Sequence, residues 1–211
     1  MITRDRTRRM ARYAAFLAAL LYPMFTLASY VAYPLQYDPV HNWLSDLGNA
    51  LVNPSGSIFY NAGCVVTGLL LIVFYMGLNA WRTGDRVLGR LLTIAQVSGA
   101  SSSIALILSA AFNIGQYPLL HSRFSMFLTI GLTWFLSFAN TALLRHPRFW
   151  RGVGVFGFAA AAVSLVYGVF ANAPLAEWVT IAIFIVYILL LTANAAQLER
   201  ADSSGPTSDP G

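Results

Sequence analysis

The sequence predicts an all-α integral membrane bundle of six transmembrane helices with one short external interfacial helix. Three observations carry that reading. The chain of 211 residues is 57% hydrophobic and only 10% charged, against about 25% charged residues in soluble domains. Six apolar runs are each long enough to cross roughly 30 Å of hydrocarbon at about 20 residues per span. Twelve of the thirteen basic residues, all arginine, fall in alternate gaps between those runs.

The first run, about 11–33, follows Arg4, Arg6, Arg8, Arg9 and Arg12. Its apolar core is longer than a signal-peptide h-region, and no small-x-small cleavage pattern follows, so it reads as an uncleaved span. Pro23 is expected to bend it near its middle. The second run, about 57–80, leads into Arg82, Arg86 and Arg90, which precede the third, about 91–112. The fourth, about 124–144, ends at Arg145, Arg148 and Arg151, and the fifth and sixth cover about 152–172 and 176–197. Only Arg123 falls on the opposite side. By the positive-inside rule both termini are cytoplasmic, and the protein is expected in a bacterial cytoplasmic membrane. The net charge of +5 is therefore a topology signal that also suits membrane lipid headgroups, and it does not point to nucleic acid. The Ser/Gly/Pro-rich tail, 199–211, is expected to be disordered. A lone cysteine, Cys64, excludes an intrachain disulfide.

Polar residues recur within the spans at helical spacing. His121, Ser125, Thr129, Thr133, Ser137 and Thr141 repeat every fourth residue along one ridge. Asn61, Gly63, Thr67 and Gly68 mark span two, Gln96 to Ser103 span three, and Gly157, Ala161, Ser164 and Gly168 span five. Small and hydroxylated residues let membrane helices approach closely and bond across the interface, so these are read as packing positions. No charge sits near the centre of a span, which argues against an intramembrane carboxylate relay.

The first external segment, Pro34 to Gly56, is the most informative stretch. It contains HNWLSDLGN at 41–49, with His41, Ser45 and Asp46. Trp43, Leu44, Leu47 and Leu51 fall at helical spacing, which predicts a short amphipathic helix at the interface. Asn53-Pro54-Ser55-Gly56 reads as its terminator. His121 and Arg123 open span four on the same side, and the third external loop adds Glu177. Three uses of this cluster are open. His41, His121 and Asp46 could supply two imidazoles and a carboxylate to a metal. Asp46 could orient His121 as a base for Ser45. Asp46 could instead pair with His121 or Arg123 as a polar lock holding the short helix to the bundle, and this is the reading adopted. No metal set or cofactor is assigned. His146, in RHPRFWR, lies on the cytoplasmic side and cannot join the other two histidines.

YDPVHNWLSDLGN followed by FYNAGCVVTGLLLIVFYMGL, with LLHSRFSMFLTIGLTWF further on, resembles the bacterial and archaeal membrane proteins grouped as domain of unknown function family 998. The resemblance covers roughly spans one to five and maps onto Ser45, Asp46, Leu47, Asn61, Gly68 and His121. It is also distantly similar to the damage-regulated autophagy modulator group, which implies six helices. Neither likeness implies a reaction. The leading functional expectation is non-enzymatic: binding or organising a lipid or apolar ligand at the outer leaflet, or supporting a membrane partner or a second copy of the chain. A membrane-embedded hydrolase or lipid-modifying enzyme and a small-solute transporter are the other two readings.

The arginine split makes topology testable. Cysteines placed at Asn49 and Pro174 should react with an impermeant thiol reagent on intact cells, and cysteines at Thr83 and Pro147 should not. Labelling of all four, or the reverse pattern, contradicts the arrangement.

Overall fold

The computed structural model describes residues 4–169 and 173–203, the side chains of 4, 5, 168, 169 and 198–203 excepted. Six helices follow in order: α1 (Arg4–Val31), α2 (Ser57–Met76), α3 (Arg86–Ala111), α4 (Pro118–Leu143), α5 (Arg151–Val169) and α6 (Pro174–Ser203). Two 3₁₀ turns, Leu44–Gly48 and Gly77–Trp81, complete the regular structure, and no strand occurs among the described residues. Five helices are long and apolar enough to span a bilayer, and the fifth in order, α5, forms a shorter apolar helix.

Local chemistry explains the boundaries. Asp85 caps α3 by accepting from the N–H groups of Val87 (2.7 Å) and Leu88 (3.2 Å), satisfying two of the donors every helix start leaves open. Pro118 opens α4 at a position that needs no N–H. The N–H of Trp150, just before α5, donates to Asn194 Oδ1 on α6 at 3.0 Å. α1 runs through Pro23 as one continuous helix. α6 continues to Ser203, past the point where a disordered tail was expected to begin; residues 204–211 lie outside the described ones.

Each helix packs on its neighbours in sequence, and α1 returns against α6 to close the ring. The core is aromatic at its centre. Phe135 of α4 is fully buried, with the rings of Tyr75, Tyr187, Phe184 and Phe74 at 4.6, 6.1, 6.2 and 6.4 Å, all edge-on. Edge-to-face contacts of this kind stabilise by about 0.5–1.5 kcal/mol beyond burial. A second, smaller cluster of Tyr22, Tyr37, Leu44, Leu47, Tyr60 and Cys64 fills the end that carries the Pro34–Gly56 segment, hereafter the lid end.

The small residues stand at close helix contacts. A side chain at Gly68 would strike Ile107 and the Ser103 carbonyl on α3, and one at Gly157 would strike the amide of Asn140 on α4. The hydroxyl ridge of α4 bonds mostly to itself. Thr129, Thr133, Ser137 and Thr141 each donate to the carbonyl four residues earlier, at 2.8–3.0 Å. Thr133 alone reaches across, to Ser164 Oγ of α5 at 3.1 Å. Asn140 ties α4 to α6: it accepts from Tyr187 Oη at 3.1 Å and donates to Leu136 O at 2.6 Å. The surroundings of Gly168 lie outside the described side chains.

Gly157→Leu should lower stability by about 1–3 kcal/mol, because the added side chain overpacks the contact with Asn140. Val155→Leu, at a position 67% exposed, should be near neutral. Thermal unfolding of both variants in the same detergent checks this, and equal midpoints would contradict it.

Candidate functional site

The Pro34–Gly56 segment folds down onto the bundle rather than lying on its surface. The expected amphipathic α-helix is replaced by a five-residue 3₁₀ turn, Leu44–Gly48. Leu44 and Leu47 are 1% and 0% exposed, whereas Leu51 is 72% exposed. The reason is spacing: 3₁₀ geometry places i and i+3 on one face, so Leu44 and Leu47 point inward together and Leu51 falls beyond the turn.

A buried turn this short has too few internal hydrogen bonds for its backbone groups. Side chains from four parts of the chain supply the rest. Glu177 of α6 accepts the Leu44 N–H through Oε2 at 2.8 Å, and Asp46 accepts the Trp43 N–H at 2.9 Å. Tyr37 Oη donates to Trp43 O at 2.7 Å. Ser29 Oγ of α1 and Asn53 Nδ2 donate to Leu47 O at 3.0 and 2.9 Å. Asn61 Nδ2 of α2 donates to Gly48 O at 3.0 Å. Asn53 is fully buried; it also donates to Ser29 Oγ at 3.0 Å and accepts the Gly56 N–H at 3.0 Å. Asn49 packs against Gly115, so the short α3–α4 connection touches the lid as well.

Beneath the turn lies a cavity of about 50 Å³, room for about four waters at 10–15 Å³ each. Ser45, Asn61, His121, Tyr167 and Glu177 line it together with Tyr22, Tyr60 and Cys64. Ser125 and Thr129 bring the lid-side end of the α4 ridge to the same wall. A second cavity of about 50 Å³ lies between α1, α2, α3, α4 and α6. It shares Tyr22, Leu106, Leu128, Leu132 and Ile181 with the first and is walled mostly by aliphatic side chains.

His121 Nδ1 sits 2.8 Å from Ser109 O. A carbonyl only accepts, so Nδ1 carries the proton and Nε2 of the neutral ring keeps its lone pair. Burial pushes the Asp46 carboxyl above the usual aspartate range, opposed by the hydrogen bond from the Trp43 N–H. Burial likewise raises the Tyr37 hydroxyl, and the nearby charges of Glu177 and Asp46 add to it.

The sequence-derived cluster is thus divided. Ser45 and His121 line the cavity, and Asp46 caps the turn above it. His41 is 79% exposed and pairs with Asp38 at 2.6 Å, away from His121; an exposed pair of this type contributes about 0–1 kcal/mol. The Val40 N–H and the His41 ring hold the Asp38 carboxyl below its ordinary range. Arg123 is exposed. A lock between Asp46 and His121 or Arg123 was expected; the hydrogen bonds that tie the segment to the helices come instead from Glu177, Asn53 and Asn61. Asp46 bonds within its own turn, accepting the Trp43 N–H three residues earlier. No group of three or more metal-ligating side chains occurs among the described residues. Ser29 and Tyr37 carried no signal of their own. Glu177 did: it is the only acid opening span six.

The raised Asp46 pKa gives a signed expectation. Ionising Asp46 is harder in the folded protein, so its contribution is most favourable below the unfolded value and is lost as pH rises through the folded one. Asp46→Asn keeps an oxygen for Trp43 N–H without the charge, so at pH 7 its unfolding midpoint should equal or exceed that of the native protein, with the gap closing toward pH 4. Asp46→Ala should lose about 1 kcal/mol. A large loss in the Asn variant at pH 7 would contradict this.

A family model described as a protein of unknown function (DUF998) matches residues 16–194. No curated protein and no solved structure matches the chain. The match takes in the lid, α2 to α5 and most of α1 and α6, and the chain belongs to the DUF998 family.

Proposed function

We propose that this protein is a six-span membrane protein, with both termini cytoplasmic, that binds an amphiphile at the outer leaflet without transforming it. The arginine split supports the orientation. The described part of α5 has 19 residues and is about 28 Å long at 1.5 Å per residue, close to the roughly 30 Å of a bilayer core.

One observation carries the binding reading: the two cavities share a wall and differ in chemistry. The chamber under the lid offers a carboxylate, an imidazole and hydroxyls; the deeper one offers aliphatic walls. That gradient suits a ligand with a polar head and an apolar chain. The deeper chamber also borders Thr67 Oγ1 and Ser103 Oγ, both buried without a hydrogen-bond partner. A buried hydroxyl left unbonded costs about 1–3 kcal/mol, which water or a ligand would relieve.

A second reading, a membrane-embedded hydrolase or lipid-modifying enzyme, draws on one fact: Glu177 and His121 line the same chamber. The two readings separate by what is recovered from the purified protein. Extraction of the full-length protein should yield one amphiphile class enriched over the surrounding membrane and chemically intact. Leu128→Trp, which fills the shared wall, should abolish the enrichment while preserving the fold. A lipid profile matching bulk membrane in both proteins contradicts binding. A hydrolysed or transferred product, lost in His121→Gln, favours the enzyme.

A further inference from the structure

We propose that the polar chamber takes a protonated amine, with Glu177 as its counter-ion, so that the ligand is a cationic, amine-headed amphiphile. This rests on the amphiphile-binding reading and names its headgroup chemistry.

The first ground is charge. Glu177 is half-buried against the lid turn and lines the chamber. The backbone N–H groups of Leu44 and Ser45 bond its carboxylate, Leu44 through Oε2, and a carboxylate has about four acceptor sites, so capacity for further donors is left. Among the described residues no arginine or histidine forms an ion pair with it, and no arginine lines the chamber. A buried carboxylate is stabilised far more by a cation than by backbone donors alone.

The second ground is the rest of the wall. With Nδ1 committed to Ser109 O, the neutral His121 ring can offer only an acceptor. Glu177 and His121 therefore both ask for donors, and an ammonium group brings three. Tyr22, Tyr60 and Tyr167 line the same space, and aromatic faces attract organic cations. The chamber volume of about 50 Å³ accommodates an ammonium group and its first carbons, leaving the chain to the deeper space. The same wall disfavours a phosphate or carboxylate head. Such a head would meet Glu177 and the nearby Asp46, while Arg123, the one arginine of the lid-end connections and helix starts, is exposed and outside the chamber.

The test uses the full-length protein in detergent with n-octylamine, n-octanol and octanoate as probes. Octylamine should bind about tenfold more tightly than octanol, the ratio a charge-assisted hydrogen bond supplies, and octanoate more weakly than either. Glu177→Gln keeps an acceptor for Leu44 N–H and should erase the amine preference while octanol still binds. In case that variant fails to fold, the native protein is treated with a hydrophobic carbodiimide and octylamine. The reagent takes up the water released, and an octylamide should appear on Glu177 in the peptide map. Equal binding of amine and alcohol, or no amide on Glu177 in folded protein, overturns the headgroup assignment and leaves amphiphile binding standing. Failure of all three probes to bind overturns both.

Discussion

A peptide segment can enter a low-dielectric bundle only if its backbone N–H and C=O groups find partners there. In the six helices that condition is met internally. The 3₁₀ turn at Leu44–Gly48 cannot meet it alone, and much of the lid end is arranged around that deficit. Ser29 from α1, Asn61 from α2 and Glu177 from α6 reach the turn from three directions, and Asn53 and Tyr37 close it from its own segment. Each bond is worth only about 0.5–1.5 kcal/mol net, but leaving the same group unbonded costs more than forming the bond gains. The turn is therefore held by the cost of release, and its residues Leu44, Ser45 and Gly48 form part of the chamber wall.

The architecture follows from features legible along the chain. Apolar run length, the arginine gaps and small residues at three- and four-residue steps all lead to the helices observed, with ends shifted by up to seven residues. Gly68 and Gly157 stand at the close contacts their spacing implies. Helix interiors are legible because their hydrogen bonds are local and only side-chain periodicity must be read. The lid was less legible for the opposite reason. Its partners are separated by 24 residues for Asn53 and Ser29 and by 133 for Leu44 and Glu177, and no periodicity connects them.

The same contrast explains the site. His121 and Ser45 were found because a histidine opening a span and a hydroxyl in a long loop are conspicuous in a chain with so few charges. His41 was conspicuous too, yet it faces solvent, because Asp38 three residues earlier bonds it locally. Glu177 was visible but undervalued: at the start of a helix, a glutamate usually serves its own first turn. Here its carboxylate instead crosses to another segment's N–H, a choice that depends on the lid reaching it.

The most direct measurement is amide hydrogen exchange over residues 43–53 in the intact protein. The account predicts protection comparable to the helix ends for the amides of Leu44 to Gly48, and selective loss of that protection in Glu177→Ala while the six helices exchange as before. Exchange of this segment at the rate of an open loop in the native protein, or no change on removing the carboxylate, would contradict the claim that helix-borne side chains hold the lid in place.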